Sequence, residues 1–482
     1  MLNPTQYSAC ELVDMVLKKE ISPTELLESH LLRFRNLNPE LNAVVYTQID
    51  KAKERAKKLE ALLMRGEALG ALYGLPMTIK ESYDWVGSPS TWGLPELRNN
   101  FPISDSEIVR RLEQSGAIIY GKTNVPARLA DWQTFNGFYG TTNNPWNLSY
   151  SPGGSSGGSA VSIAVGMASL DVGSDIGGSI RNPAHYCGIF GHKPSSGIIP
   201  MDGHQLPERN VPFDMLVGGP LARTSKDLAL GFNVLTGATN RIGQTPTLEI
   251  SRHGARKLRD FKVGVMLTST ICAQDDELTN QLDNVIVSLC KSGLKVDRNP
   301  DIGFDLKMAH HTYLLLLRSA TTCFLTEEEF QEHIRRARVA DLDSTNYRSY
   351  VDHGVALYHR DWQKLDNTRR DIEKAWETYF ESCDLLLCPA AASAAVPHDH
   401  VGDRSDRRLL INGTQEPVVD QLFWAGLANC SYLPATVVPV GLTASGLPCG
   451  LQIIGGYGND DLTLEFAGII EREIGGYRTP ES

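Results

Sequence analysis

The chain has 482 residues, 41% hydrophobic and 21% charged, with 43 Gly, 25 Pro and 9 Cys. That apolar share fills a large core and the charge content is ordinary for a globular protein, which excludes collagen, coiled coil, disordered tail and small disulfide scaffold. Net charge is 46 − 57 = −11, a sign that repels phosphate backbones and anionic lipid, so neither nucleic acid nor membrane is an expected partner.

The cysteines are odd in number, run from Cys10 to Cys449 and include no CxxC pair. Cys383 and Cys388 have the wrong spacing for a common zinc site, and the set reads as reduced, mostly buried thiols. The first residues carry no basic n-region or apolar h-region, and no apolar run approaches the ~18 residues of a membrane span. A soluble protein located in the cytoplasm is expected.

In chain order, Ser22-Pro23-Thr24-Glu25 is a capping box with proline at the first helical position, so a helix starts there. Leu26, Leu27, Leu31 and Leu32 recur at helical spacing, and Asn38-Pro39 is expected to end the run. A charged helix follows over 50–65. Strands are expected at Leu75–Lys80, Ala117–Tyr120, Leu170–Gly173, Lys262–Met266, Asp384–Cys388, Thr436–Val440 and Leu451–Ile454, with helices at Ser106–Gln114 and Ser159–Ser169. The alternation predicts an α/β fold: one large domain with a central mixed, or largely parallel, sheet covered on both faces by helices. The stretch 305–381 is polar and helix-like throughout and reads as a helical cap or insertion. The organisation is thus N-terminal helices over 1–70, a core over 71–225, the cap, and a C-terminal sheet and helix over 382–482.

Gly116-Ala-Ile-Ile-Tyr-Gly121-Lys122-Thr123 fits the phosphate-binding loop pattern, which would make the chain a nucleotide-binding protein. That loop needs a strand before its first glycine and a helix at the lysine. Here a helix precedes Gly116, and the residues between the glycines suit strand pairing, so a strand end with an outward Lys122 is the better reading. His310-His311 and His398-Asp-His400 lack a third ligand at sensible spacing, and no metal is expected.

The densest feature is Ser151-Pro-Gly-Gly-Ser155-Ser156-Gly-Gly-Ser159 followed by Ser174-Asp175-Ile176-Gly177-Gly178-Ser179-Ile-Arg181. Two glycines before Ser179 let the backbone turn and aim consecutive N–H groups at one point, which supplies a nucleophile and an oxyanion hole from one loop. The first glycine-rich loop can approach closely enough to place Ser155 nearby. No Ser-His-Asp signature supplies a base. Lys80, at the end of an apolar strand, can serve if burial makes it neutral.

On these residues the chain resembles the amidase signature family of serine amidohydrolases. The strongest block is Gly153–Pro194. Gly74–Lys80, Gly121–Asn124, Tyr139–Trp146, Gly219–Arg223 and Gly446–Gln452 follow the same family pattern, and the Gly121-Lys122-Thr123 segment is accounted for as one of these blocks. The resemblance implies a Ser-cisSer-Lys triad: Ser179 as nucleophile, Ser155 as bridging serine on a cis peptide, Lys80 as base. It places the oxyanion hole on the N–H groups of Ile176, Gly177, Gly178 and Ser179. Asp175, Arg181 and Ser156 are expected to hold the loop and orient the relay, with Cys187 a packing residue and no cofactor needed.

The expected partner is a small-molecule amide, and the expected assembly a monomer or homodimer. Ala130, Gln133, Phe135, Phe423 and Trp424 are the expected pocket residues, and the nearby aromatics suggest an apolar or aromatic acyl or anilide-type substrate. Esters and carbamates remain open as further substrates. The rival within the family is the glutaminase component of glutamyl-tRNA amidotransferase, its A subunit. Against it, Asn429-Cys-Ser-Tyr-Leu-Pro434 departs from the Asn-Leu-Ala-Gly-Leu-Pro stretch of those proteins. Asp420 is two residues out of place, and Lys80-Glu81 replaces the commoner Lys-Asp.

Overall fold

The capping box at Ser22 forms as the sequence dictates. Its Oγ accepts from Glu25 N–H at 3.1 Å, while the Glu25 carboxylate accepts from Ser22 N–H at 2.9 Å, opening the helix Pro23–Leu41. The helix does not stop at Asn38-Pro39. Proline removes one N–H in the last turn, the chain continues to Leu41, and Asn42 then turns left-handed at φ 48°. Asn38 caps the exit instead, its Oδ1 accepting from Ala43 and Val44 N–H.

The computed structural model describes residues 2–67, 70–207, 209, 213–237, 256–343 and 346–480. Among them an eight-stranded sheet runs in the order Lys295–Asp297, Lys262–Val265, Leu385–Pro389, Pro448–Gly455, Ala435–Leu442, Phe190–Lys193, Val217–Ala222, Leu170–Asp175. Only the pairings of Lys262–Val265 with its two neighbours are parallel. The rest are antiparallel, so the sheet is mixed rather than largely parallel. Most of its strands are buried at every residue, the mark of a sheet covered on both faces.

Pro76–Lys80, the strand that ends in the candidate base, does not belong to this sheet. It pairs in parallel with Ile118–Thr123, which pairs antiparallel with Val44–Thr47, making a separate three-stranded sheet. Val44–Thr47 also adds a strand to the stretch 1–70, for which only helices are expected. The small-residue helix is Gly157–Ala164, starting two residues earlier and ending five residues earlier than its sequence suggests. The stretch 305–381 is helical as expected, with helices Leu306–Ala320, Glu327–Val339, Tyr347–Val355 and His359–Ser382. The first of these buries a face including Tyr313 and Leu317 in one cluster with Trp132, Leu422 and Ala425, beside the candidate site. No helix among the described residues is long and apolar enough to cross a membrane.

Candidate active site

Three segments meet at one buried point. Strand Pro76–Lys80 delivers Lys80, the loop before helix Gly157–Ala164 delivers Ser155 and Ser156, and strand Leu170–Asp175 runs into the loop carrying Ser179. Lys80 is fully buried, and Ser155 and Ser156 are 1% and 0% exposed. Lys80 Nζ lies 2.7 Å from Ser155 Oγ, 2.9 Å from Ser156 Oγ and 3.0 Å from Ser174 Oγ. Burial drives its pKa down from 10.5 to about 7, even with the Asp175 and Asp171 carboxylates pulling the other way. A lysine near neutrality among hydroxyls has a lone pair able to take a proton.

The peptide between Gly154 and Ser155 is cis. Gly154 must be glycine because a Cβ there would collide with the Asp131 carbonyl oxygen. Ser179 is 6% exposed and faces the cavity that opens on this cluster. Ser156 N–H donates to the Ser179 carbonyl at 3.1 Å, clamping the two serine loops together. The Ser155 and Ser179 hydroxyls are not hydrogen-bonded to each other.

The loop 176–180 is pinned one peptide plane at a time. Tyr313 Oη donates to the Ile176 carbonyl at 3.1 Å, and Trp132 Nε1 to the Gly177 carbonyl at 2.7 Å. Asn182 N–H holds the Gly178 carbonyl at 2.7 Å. Because a trans peptide sets its N–H opposite its C=O, these contacts fix where the amides point. Asp175 then takes the N–H groups of Gly178 and Ile180, at 2.9 and 3.1 Å. Gly178 N–H is therefore occupied and differs from its expected place in the oxyanion hole. The N–H groups of Ile176, Gly177 and Ser179 have no partner among the described residues. Gly178 instead makes the turn, at φ 91° and with Trp132 Cζ2 only 2.9 Å from where a Cβ would sit.

Asp175 and Arg181 form a buried ion pair, Nη2 to Oδ1 2.9 Å and Nε to Oδ2 3.0 Å. Burial would raise the Asp175 pKa, but the Arg181 guanidinium and the Ile180 N–H hold it well below the carboxylate range. Arg181 is tied further to Gln452 Oε1 at 2.6 Å, to the Ala425 carbonyl and to Asn429 Oδ1. Cys187 is buried and donates to the Pro152 carbonyl at 3.4 Å.

A cavity of about 180 Å³ opens on Ser179, walled by Trp92, Trp132, Phe213, Leu317, Phe324 and Leu422. Ala130 is among its lining residues, and Gln133, Phe135, Phe423 and Trp424 are not. Gln133 pairs by both side-chain atoms with the Asp399 backbone. Phe135 stacks on His400 at 3.9 Å between ring centroids. Trp424 is fully buried with Nε1 on Gln274 Oε1, and Phe423 packs in the cluster behind the cavity. These four belong to segments that reach the cavity through other residues, Trp132 and Leu422 among them.

Sequence reasoning also missed Ser174 as a partner of Lys80, and the clamping roles of Trp132 and Tyr313. Ser174 carries a weak signal, since alternation along Leu170–Asp175 decides which side chains reach Lys80. The aromatic clamps carry none. Lys122 is fully buried rather than outward, with Nζ on the Pro89 carbonyl at 2.6 Å and Ser90 Oγ at 3.1 Å. It continues a strand, Ile118–Thr123, where a phosphate loop would curl. Among the described residues no group of three or more His, Cys, Asp or Glu is placed to hold a metal ion.

The family model described as Amidase matches residues 25–464. An indoleacetamide hydrolase of Bradyrhizobium diazoefficiens is 30% identical over 98% of this chain and 87% of its own length. The A subunit of the glutamyl-tRNA(Gln) amidotransferase of Gloeothece citriformis is 29% identical over 95% of each chain. The crystal structure of a bacterial aryl acylamidase of the amidase signature enzymes superposes with a TM-score of 0.83 at 29% identity, covering 97% of this chain and 96% of that one.

Proposed function

The chain belongs to the Amidase family and is an amidohydrolase; from that footing we propose that it is a stand-alone serine amidase acting through Ser179, Ser155 and Lys80. The observation that carries the reading is a buried lysine, near neutrality, 2.7 Å from a serine that shares a clamped loop pair with Ser179. Lys80 accepts the proton of Ser155, and Ser155 accepts that of Ser179 as its oxygen attacks the carbonyl. The relay closes by rotation of the Ser179 side chain when the substrate seats. The free N–H groups of Gly177 and Ser179, with Ile176 beside them, take the oxyanion. The relay then reverses and hands a proton to the leaving nitrogen, which an amide requires because an amine anion leaves poorly. Water releases the acyl group by the same route, and each proton is accounted for without a cofactor.

The cavity supports a substrate with one ring-sized apolar group. Its volume, about 180 Å³, is comparable to the ~150 Å³ cavity known to hold benzene, which suits an aryl or branched alkyl amide better than a long acyl chain. Indoleacetamide hydrolase and aryl acylamidase, the activities named for two relatives, fit that size. The amidotransferase reading rests on the Gloeothece relative. Glutamine would bring an α-ammonium group into this cavity, and the one carboxylate lining it among the described residues, Asp131, is already bonded to Arg407 at 2.6 Å. Asp420 does not line the cavity.

The test is intact-protein mass after fluorophosphonate treatment, with peptide mapping, alongside a panel of anilides and primary amides. A single adduct on Ser179, lost in Ser179→Ala, with turnover by the isolated chain is the expected result. Labelling elsewhere with wild-type turnover in Ser179→Ala refutes the assignment. Glutamine turnover appearing only with added partner proteins would establish the amidotransferase reading instead.

A further inference from the structure

The cavity changes character where it leaves Ser179. Arg128, Arg318 and Arg404 line both the cavity and a second, open pocket beside it, so the three guanidiniums stand at the junction of the two. In a chain of net charge −11 this is a local reversal of sign. Arg128 is paired with Glu329 at 3.2 Å. The other arginines of the open pocket are paired as well, Arg336 with Asp352 at 2.8 Å and Arg348 with Asp406 at 2.8 Å.

Arg318 and Arg404 are different. Neither has a carboxylate within ion-pair distance among the described residues. Arg318 Nε is buried without any hydrogen-bond partner, and burial pulls the pKa of this guanidinium below its ordinary value. Its stem is held by the close approach of helix Tyr347–Val355, where a Cβ on Gly354 would sit 2.5 Å from Arg318 Cβ. Arg404 bonds the Ala130 carbonyl and lies 3.4 Å from Tyr347 Oη. Both guanidiniums face the Tyr347 ring, at 5.5 and 6.0 Å from its centroid. A charge taken out of water is costly unless a counter-charge meets it. Asp131 and Asp403 act on Arg404 from beyond ion-pair distance, while no carboxylate among the described residues acts on Arg318, so the mouth of the cavity keeps a cation for an incoming anion to meet.

The geometry points to a substrate with a carboxylate: an amide whose apolar part fills the cavity and whose far end is held between Arg318 and Arg404. The inference rests on the amidase reading of the same cavity and names its substrate class. Guanidinium forks match the planar carboxylate better than a point cation would, so both affinity and orientation come from this contact. The carboxylate sits on the acyl side or on the amine side of the scissile bond, and matched substrates distinguish the two. Glutaryl 4-nitroanilide against butyryl 4-nitroanilide tests the acyl side, and 4-acetamidobenzoate against acetanilide tests the amine side.

In one of the two pairs the carboxylated member is expected to have at least about tenfold higher kcat/KM, carried mainly by KM, with the advantage shrinking as salt rises. Arg318→Met keeps the stem and removes the charge. It is expected to lower kcat/KM for the favoured carboxylate at least about tenfold more than for its neutral partner, with Arg318→Lys intermediate. Arg404→Met gives the same selective loss if Arg318→Met does not fold. Fluorophosphonate labelling of Ser179 separates two failures. Labelling and neutral-anilide turnover with no carboxylate preference in either pair overturn the inference and leave the amidase reading standing. Absence of both labelling and turnover overturns the amidase reading and the inference with it.

Discussion

Replacing Lys80 by methionine separates what this lysine does for chemistry from what it does to stability. The ordinary amine pKa of 10.5 falls to about 7 in the folded chain. At ~1.36 kcal/mol per unit this difference corresponds to roughly 5 kcal/mol, an upper bound on what folding loses by burying the amine below pH 7. The folded pKa lies below the unfolded one, so between about 7 and 10.5 the unfolded chain binds more protons. Stability of the wild type therefore rises with pH across that window, and the penalty is complete below it. Methionine carries no such penalty, but it leaves the hydroxyls of Ser155, Ser156 and Ser174 without the amine they contact, a loss of about 1–3 kcal/mol. Lys80→Met should therefore be inactive yet more stable than wild type by about 2 kcal/mol at pH 6.5. Between pH 7 and 9 wild type should recover roughly 2–3 kcal/mol relative to the variant. Denaturant midpoints of both proteins at pH 6.5, 8 and 9.5, at fixed ionic strength, measure this. Lys122 and Lys193 are also buried with lowered pKa values, but they are common to both proteins and cancel. Wild-type kcat/KM should rise about tenfold per pH unit towards 7 and level off above it. Parallel stability curves for the two proteins, or a flat rate profile from pH 5 to 9 with chemistry rate-limiting, would refute a neutral Lys80.

Tyr313→Phe removes only the hydroxyl that holds the Ile176 carbonyl, and so loosens the Gly177 N–H on the other side of that peptide. It should lower kcat by about tenfold, less than the ~10²–10³ of deleting an oxyanion donor, with KM little changed; a change confined to KM would contradict the clamping role. Asp175→Asn leaves the Arg181 guanidinium buried without its counter-charge, which should cost about 3–5 kcal/mol and appear as a large drop in melting temperature. An unchanged melting temperature would show that Gln452 and Asn429 suffice for Arg181. Magnesium-ATP should show no binding by equilibrium dialysis, because the Lys122 amine is buried on Pro89 and Ser90; saturable binding abolished by Lys122→Met would overturn that.

The residues of the proposed triad stand out in the sequence because each has a local signal. Gly177-Gly178 before Ser179 announces a tight turn, Gly153-Gly154 before Ser155 a close backbone approach, and the apolar run into Lys80 a buried strand end. The pocket was not legible in the same way. Gln133, Phe135, Phe423 and Trp424 have the chemistry of pocket residues and stand next to residues that do line the cavity. Which face of an irregular segment or a short buried helix points inward depends on what packs behind it. Trp424 turns to Gln274, and Phe135 to His400, partners more than one hundred residues away.

Glycine conformational freedom, capping and apolar periodicity act over a few neighbours. On that scale the residues already specify the α/β class, the helical stretch 305–381, and the segments that carry Ser179, Ser155 and Lys80. Long-range packing does the rest. It puts Lys80 on a sheet of its own with its amine out of water, gives Gly178 N–H to Asp175, and sets Trp132 and Tyr313 against the loop carbonyls. It also leaves Arg318 and Arg404 facing the cavity with no carboxylate in ion-pair distance. Each of those outcomes depends on burial and on partners distant in the chain, and none can be read from a residue and its neighbours alone.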